Sequence, residues 1–494
     1  MLSLRGIFNA LSISSDCSGS DLENMLAKVG ENFIHNPSYR SSTCAFYLAP
    51  CLRGNAVAFC STSKKISLTL CPLLALFFIL PASSPALTLE EALSLAQSNL
   101  PAYLAQASRV GSSEARYKAT IGPYLPSVDA SGTAASHNTS GPNYSSNIYD
   151  VTASLKLFDY KRGPTRDISR YDLNTEQEGL KKSLLDLQFD VKSSFYTVLA
   201  SRSILEQRKL QLDNARKNYE VAEGRRRLGV AKLSDVLQVS VRLEQARFNL
   251  VLSEGTLQKS LTELSSLIGR SVVSADELRG DFIFNMPLPD EKLLLEAQMR
   301  RPELIQAELA VKRAESNQSL ATGDFFPVIS GNLSYSRSDD TIVNAIPPFV
   351  NPLEDRSASL VASWNLFEFG KFYRSQAASI DILTSGENLK ESRRKLQLEL
   401  RKSYEDFVTA SRNVKVAIEQ DKQAQQNYDQ AFGEYKVGKG DILSLVFAET
   451  LLSQAREQMV SSALNLYLSK ALLERTAGIE SLEGLPSAAE SEKR

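Results

Sequence analysis

Covalent and metal chemistry in proteins rests mostly on histidine, cysteine and closely paired carboxylates, and this chain is poor in the first two. Its 494 residues include two histidines, His35 and His137, and five cysteines, Cys17, Cys44, Cys51, Cys60 and Cys71, all before residue 72. The remainder can form neither a disulfide nor a thiolate, and a single histidine cannot build a histidine-based metal or acid–base site. Gly438-Lys439-Gly440 has the residue types of a phosphate-binding turn, but the upstream glycine spacing and the strand–loop–helix setting are missing. Carboxylates such as Glu263 and Glu405 lie on charged helical faces without visible partners. No catalytic residue, cofactor or metal is expected, and a net charge of −1 argues against a nucleic-acid partner.

What the chain offers instead is backbone punctuation, repeated. Residues 229–269 and 438–478 align without a gap at an offset of 209, sharing the terminal glycines and the triplet Gln245-Ala246-Arg247 against Gln454-Ala455-Arg456. Val236, Leu243, Ala246, Leu250, Leu257, Leu261, Leu264 and Ile268 recur at sevens, threes and fours, the mark of a helix with one narrow apolar seam. A glycine between two such helical runs marks a tight reversal, so each copy contains a long helical hairpin. Pro101 and Pro302, and Pro126 and Pro327, keep an offset of 201, each first proline opening a helix at the position where its missing N–H costs nothing.

Between the helices the period changes to two. Tyr149, Val151, Ala153, Leu155 and Leu157 alternate with Asp150, Thr152, Ser154 and Lys156; Leu360, Ala362, Trp364 and Leu366 repeat the phase, with Val361 breaking the polar side. Weaker alternation precedes each, so every copy contributes two strands of about ten residues, the length of a tilted transmembrane β-strand. Four strands cannot close a barrel, and an open edge is not tolerated in lipid. Three chains sharing one barrel would supply twelve.

Export fits this picture. Lys64-Lys65, an apolar run over 66–80 and the small residues Ser84 and Ala86 read as a signal peptide over 64–86, the run being shorter than the roughly 20 residues a spanning helix needs. The extra segment 1–63 reads as an overcalled start, with initiation expected near Val57 or Leu52. Thr88-Leu89-Glu90-Glu91 forms a capping box for a short helix within 87–100. Copy one then spans 101–269, with a β-hairpin at 126–158 and a helical hairpin at 167–268. Residues 270–301 form a linker, expected to belt the helices equatorially, and copy two spans 302–478, with its β-hairpin at 327–368 and helical hairpin at 372–477. A polar, disordered tail is expected over 479–494. Helices over 167–228 and 372–436 would make a cylinder roughly 90 to 100 Å long at about 1.5 Å per residue.

At this point LTLEEALSLAQSNLP, RPELIQAELAVKRAESNQSLATGDFFP, the strand endings LFDYKRG and LFEFGK, and the turns RRRLGVAKLSDVL and YKVGKGDILSLV together resemble the TolC-like outer-membrane efflux channels over nearly everything from residue 87 to 479. The resemblance implies a mainly α fold with β, in which a trimer carries a twelve-stranded transmembrane barrel in the outer membrane on a long α-helical coiled-coil tunnel in the periplasm. It implies an exit duct for an efflux pump or a type I secretion system, with outer-membrane lipid, a periplasmic adaptor and an inner-membrane pump as partners. It assigns adaptor docking to the turns Leu228-Gly229-Val230 and Val437-Gly438-Lys439. It also places a constriction near Ser444 and Phe447, where relatives carry acidic residues, with Ser234, Asp235 and Tyr435 matching the family pattern and Asp441 displaced toward the turn. A gate with an apolar collar at Phe447, supported by bonds involving Tyr435, Asp235 and Asp441, is the resulting expectation, while Arg225-Arg226-Arg227 reads as a solvated face. The rival reading is a periplasmic adaptor, which also combines a helical hairpin with β-structure.

Overall fold

The computed structural model describes residues 87–137, 144–284, 286–342 and 349–482. The expected 1–63 segment, the signal peptide, the Pro347-Pro348 connection and the tail beyond Leu482 lie outside them. The elements follow the order α1 (Leu89–Asn99), α2 (Pro101–Ala119), β1 (Ser127–His137), β2 (Tyr144–Phe158), α3 (Arg162–Arg227), α4 (Leu233–Ile268), α5 (Glu291–Gln298), α6 (Pro302–Thr322), β3 (Val328–Ile342), β4 (Phe349–Ser363), α7 (Phe369–Lys436) and α8 (Ile442–Ala477). The last six of these elements repeat the first six in order, α5 standing before α6 as α1 stands before α2.

Local signals account for the ends. Thr88 caps α1 in a reciprocal capping box with Glu91. Pro101 and Pro302 sit at the first positions of α2 and α6. Gly269 and Gly478 close α4 and α8 in the left-handed conformation, at φ 66° and 75°. The two longest helices, α3 with 66 residues and α7 with 68, begin before the expected 167 and 372. At about 1.5 Å per residue each spans about 100 Å.

The helices pack side by side. α3 is the hub, with α1, α2 and α4 along one side and α6 and α8 along the other, and α7 packs outside α6 and α8. The short helix and the tip helix of each copy thus lie successively along one long helix. Among the described residues their cores are four clusters. One joins α1, α3 and α4 around Phe195, Leu264 and Ile268; another joins α5, α7 and α8 around Leu400, Phe407 and Leu466. The expected linker carries α5, whose Leu294 is fully buried in the second of these clusters. The disorder expected from 479 onward also fails at its start: Ile479 and Leu482 pack on that cluster, and the Glu480 carbonyl accepts from Lys192 Nζ at 2.7 Å. Lys192 also pairs with buried Glu474 at 2.6 Å, so a buried charge pair pins the chain there.

The sheet is antiparallel in the order β1-β2-β3-β4, with strands of 11, 15, 15 and 15 residues, longer than the ten expected. Register puts Ala153, Leu333 and Ala358 in one row and Leu155, Gly331 and Leu360 in another on one face. Thr152, Ser334 and Ser357, then Ser154, Asn332 and Ser359, lie on the opposite face. Over these rows the first face is apolar, Arg356, Arg337 and Glu354 coming farther along it, and the other is rich in hydroxyls, two of which, on Ser334 and Ser357, bond across strands at 2.7 Å. Val361 falls on the polar face, across from Ser330. Where sheet meets helices, aromatics crowd together: Tyr160 stacks on Phe326 at 4.6 Å, Phe325 meets Phe372 at 5.4 Å, and Trp364 Nε1 donates to the Phe325 carbonyl. β1 and β4 each have one edge without a partner among the described residues.

Candidate functional site at the hairpin tips

The residues singled out by the sequence converge at one end of the helical layer, where α3 turns into α4 and α7 into α8. Each turn is built on one glycine, Gly229 at φ 72° and Gly438 at φ 78°. In that left-handed region a side chain costs about 1–2 kcal/mol. Space is not the constraint at Gly229, around which a Cβ would meet nothing within 4 Å. Gly440 is the reverse case. A Cβ there would lie 3.0 Å from the Tyr435 backbone nitrogen and from Glu434 Cβ, because the chain folds back so that Lys439 and Gly440 N–H both donate to the Glu434 carbonyl. Leu228 is 80% exposed and Val437 69% exposed, with Val230 and Lys439 also open to solvent. The six turn residues therefore form two adjacent protruding knobs with apolar flanks.

The two tips are glued together. Ala222, Val236 and Val239 of the first hairpin bury against Tyr428, Tyr435, Ile442, Leu445 and Leu452 of the second. The three arginines before the first turn are not uniformly solvated, and this corrects the sequence reading. Arg225 reaches across to the second hairpin, donating Nη1 to the Tyr435 carbonyl and lying 4.5 Å over the Tyr435 ring. Such a cation–π contact contributes roughly 0.5–2 kcal/mol. No local pattern sets Arg225 apart from Arg226 and Arg227, because its partner lies 210 positions away.

Tyr435, Asp235 and Asp441 each take part in hydrogen bonds, none of which joins one of the three to another. Asp235 accepts from the Lys232 backbone N–H at 3.3 Å and from Ser234 Oγ at 3.2 Å, and Asp441 accepts from the Ile442 N–H at 2.8 Å. Both carboxylates cap their own helices, because each follows a turn and stands in the first turn of a helix, where free N–H groups attract them. Tyr435 is buried, its hydroxyl has no partner among the described residues, and burial raises its pKa although Arg225 pulls the other way. Ser444 and Phe447 are exposed on the side of α8 away from the tip core, Phe447 by 64%.

One group above the tip was missed altogether. Glu449, two positions beyond Phe447 and across the helix, is 7% exposed and accepts a hydrogen bond from Asn218 Nδ2 at 2.8 Å. Asn218 Oδ1 in turn accepts from the Tyr428 hydroxyl at 3.3 Å. Burial raises the Glu449 pKa, and burial with the nearby Glu449 charge pushes Tyr428 up to about 12. Among the described residues no group of three or more His, Cys, Asp or Glu could hold a metal ion, and no helix is long and apolar enough to cross a membrane.

Comparison with known proteins gives this geometry a context. The profile of a family described as outer membrane efflux protein matches residues 92–270 and 293–478. The chain is 24% identical over 401 residues to protein CyaE of Bordetella pertussis, covering 79% of this chain and 84% of CyaE. It is also 24% identical over 415 residues to the probable efflux pump outer membrane protein TtgC of Pseudomonas putida, covering 78% and 80%. Among solved structures, the open-state MtrE outer membrane channel of Neisseria gonorrhoeae superposes with a TM-score of 0.68 at 16% identity, over 80% of this chain and 89% of that one. A periplasmic adaptor is thereby set aside.

Proposed function

The chain belongs to the outer membrane efflux protein family, and from that premise we propose that three copies close into one conduit that serves as the exit duct of a pump or secretion machine. The observation that carries this reading is incompleteness on matching flanks. A four-stranded sheet with one apolar face has free edges at β1 and β4, and a strand edge left unpaired in lipid forfeits its backbone hydrogen bonds. The helical layer is open in the same sense: Leu237, Val241, Phe248 and Leu252 are exposed along α4, and Ile380, Leu383 and Val416 along α7. Joining the β4 and α7 flank of one copy to the β1 and α4 flank of the next satisfies both, and three copies give twelve strands. The apolar sheet face then meets outer-membrane lipid, the hydroxyl face lines the lumen, and the aromatic junction forms the girdle at the periplasmic boundary.

Within this assembly the knobs at Leu228-Gly229-Val230 and Val437-Gly438-Lys439 dock a periplasmic adaptor, which couples the duct to an inner-membrane pump. The exposed Ser444 and Phe447 narrow the periplasmic mouth, and the Arg225–Tyr435 contact holds the second hairpin against the first. Ser234, Asp235 and Asp441 shape the turns that support this mouth. The duct passes what its pump delivers. The test is reconstitution in a planar bilayer. The purified protein should form discrete channels, and Phe447→Ala should widen them. Absence of channels from folded protein sinks the duct, and unchanged conductance in the variant removes Phe447 from the constriction.

A further inference from the structure

The buried polar cluster behind the mouth is used by nothing above. Glu449 of α8 is the centre of a contact between hairpins: Asn218, 1% exposed on α3, donates to its carboxylate, and Tyr428 of α7 donates to Asn218. No cation lies within ion-pair distance of Glu449 among the described residues. The charged and titratable groups that face the cluster are few. Arg242 of α4 acts on Glu449 from a distance, and Asp429 of α7 and Arg456 of α8 act on Tyr428. α3 presents the neutral Asn218 and Asn214 together with Arg208, which lines the same cavity as Glu449 but is engaged by Glu457 of α8 at 2.8 Å. One amide donor is thin support for a full negative charge out of water. The packed arrangement therefore suits the neutral carboxylic acid, and separation of α8 from α3 would let water reach the charged form.

We propose that Glu449 is a gating residue whose protonation holds the second hairpin against the first and whose ionisation releases it. The inference rests on the duct reading above and adds its regulation. The direction follows from burial. A carboxyl that is protonated more readily in the packed state than in the open one stabilises packing fully at acid pH. That stabilisation is lost as pH rises from the ordinary glutamate range through the raised value. Phe447, on the opposite side of the same helix, moves with it, so the mouth is latched in acid and freed toward neutrality.

Single-channel recording from about pH 4.5 to about pH 8, spanning ordinary and raised carboxyl values, tests this. The unmodified protein should show an open-to-closed ratio that rises with pH by up to about tenfold per unit for each titrating Glu449. Glu449→Gln, which keeps the shape and the bond from Asn218 but cannot ionise, should hold the acid-like ratio throughout. Phe447→Ala should change conductance while keeping the pH slope, separating the latch from the constriction. A Glu449→Gln profile that superimposes on the unmodified one, or an unmodified protein whose open ratio ignores pH, overturns the proposal and leaves the duct intact. Failure of the unmodified protein to conduct overturns both.

Discussion

The two helical hairpins began as one sequence and now differ in what surrounds them. α4 and α8 are both 36 residues long, yet nine residues of α4 are buried against sixteen of α8. α8 lies between α7 and α3, whereas α4 has α3 on one side and almost nothing within the chain on the other. The difference is written at equivalent positions. Leu466, fully buried, corresponds to the half-buried Leu257, and Glu457 and Val460 correspond to the exposed Phe248 and Val251. Apolar residues left exposed on α4 and strand edges unpaired among the described residues point to contacts made by another copy. Duplication supplied the frame, and divergence assigned one hairpin to the interior of the chain and the other to a seam.

The comparison can be broken most sharply in the core. Leu466→Ala should cost about 2–5 kcal/mol, read as a lowered unfolding midpoint in detergent, whereas Leu257→Ala should cost well under half of that; equal losses would contradict the asymmetry. The turns should differ next. Gly440→Ala forces a Cβ onto the Glu434–Tyr435 backbone and should cost about 1–3 kcal/mol, while Gly229→Ala, strained only in φ, should cost about 1 kcal/mol. Arg225→Ala should raise the open-to-closed ratio roughly tenfold through loss of its bond and ring contact, and Glu434→Ala at the equivalent place in the other hairpin should leave the ratio near that of the unmodified protein. The smallest effect belongs to Tyr428. Its folded pKa of about 12 lies above the ordinary 10.0, so its contribution is complete below pH 10 and is lost as pH rises toward 12. Tyr428→Phe should flatten the alkaline loss of stability over that interval, and an unaltered alkaline profile would place the titration elsewhere.

Much of the architecture was legible because it is carried by local, periodic signals. The glycines at 229, 269, 438 and 478 mark turns and caps that any reading of φ demands, and the prolines at 101 and 302 mark helix starts. Alternation at 149–157 located a strand and told its two faces apart. The tip was less legible, since its contacts join residues about 210 positions apart, as in Arg225 with Tyr435 and Asn218 with Tyr428. A carboxylate near a turn can reach across to a neighbour or bend back onto free N–H groups, and spacing does not choose. For Asp235 and Asp441 the local cap wins, because it needs no second element to arrive. Glu449 was invisible for the opposite reason: on a helix rich in polar residues, only burial distinguishes it.

The most direct test of the account is the mass of the purified protein in detergent, together with the seam that sets it. Three chains per particle, held through stable contacts that a charge placed at Val241 or Phe248 disrupts, is the predicted result. A particle of one chain that stays in solution after detergent is withdrawn would contradict it.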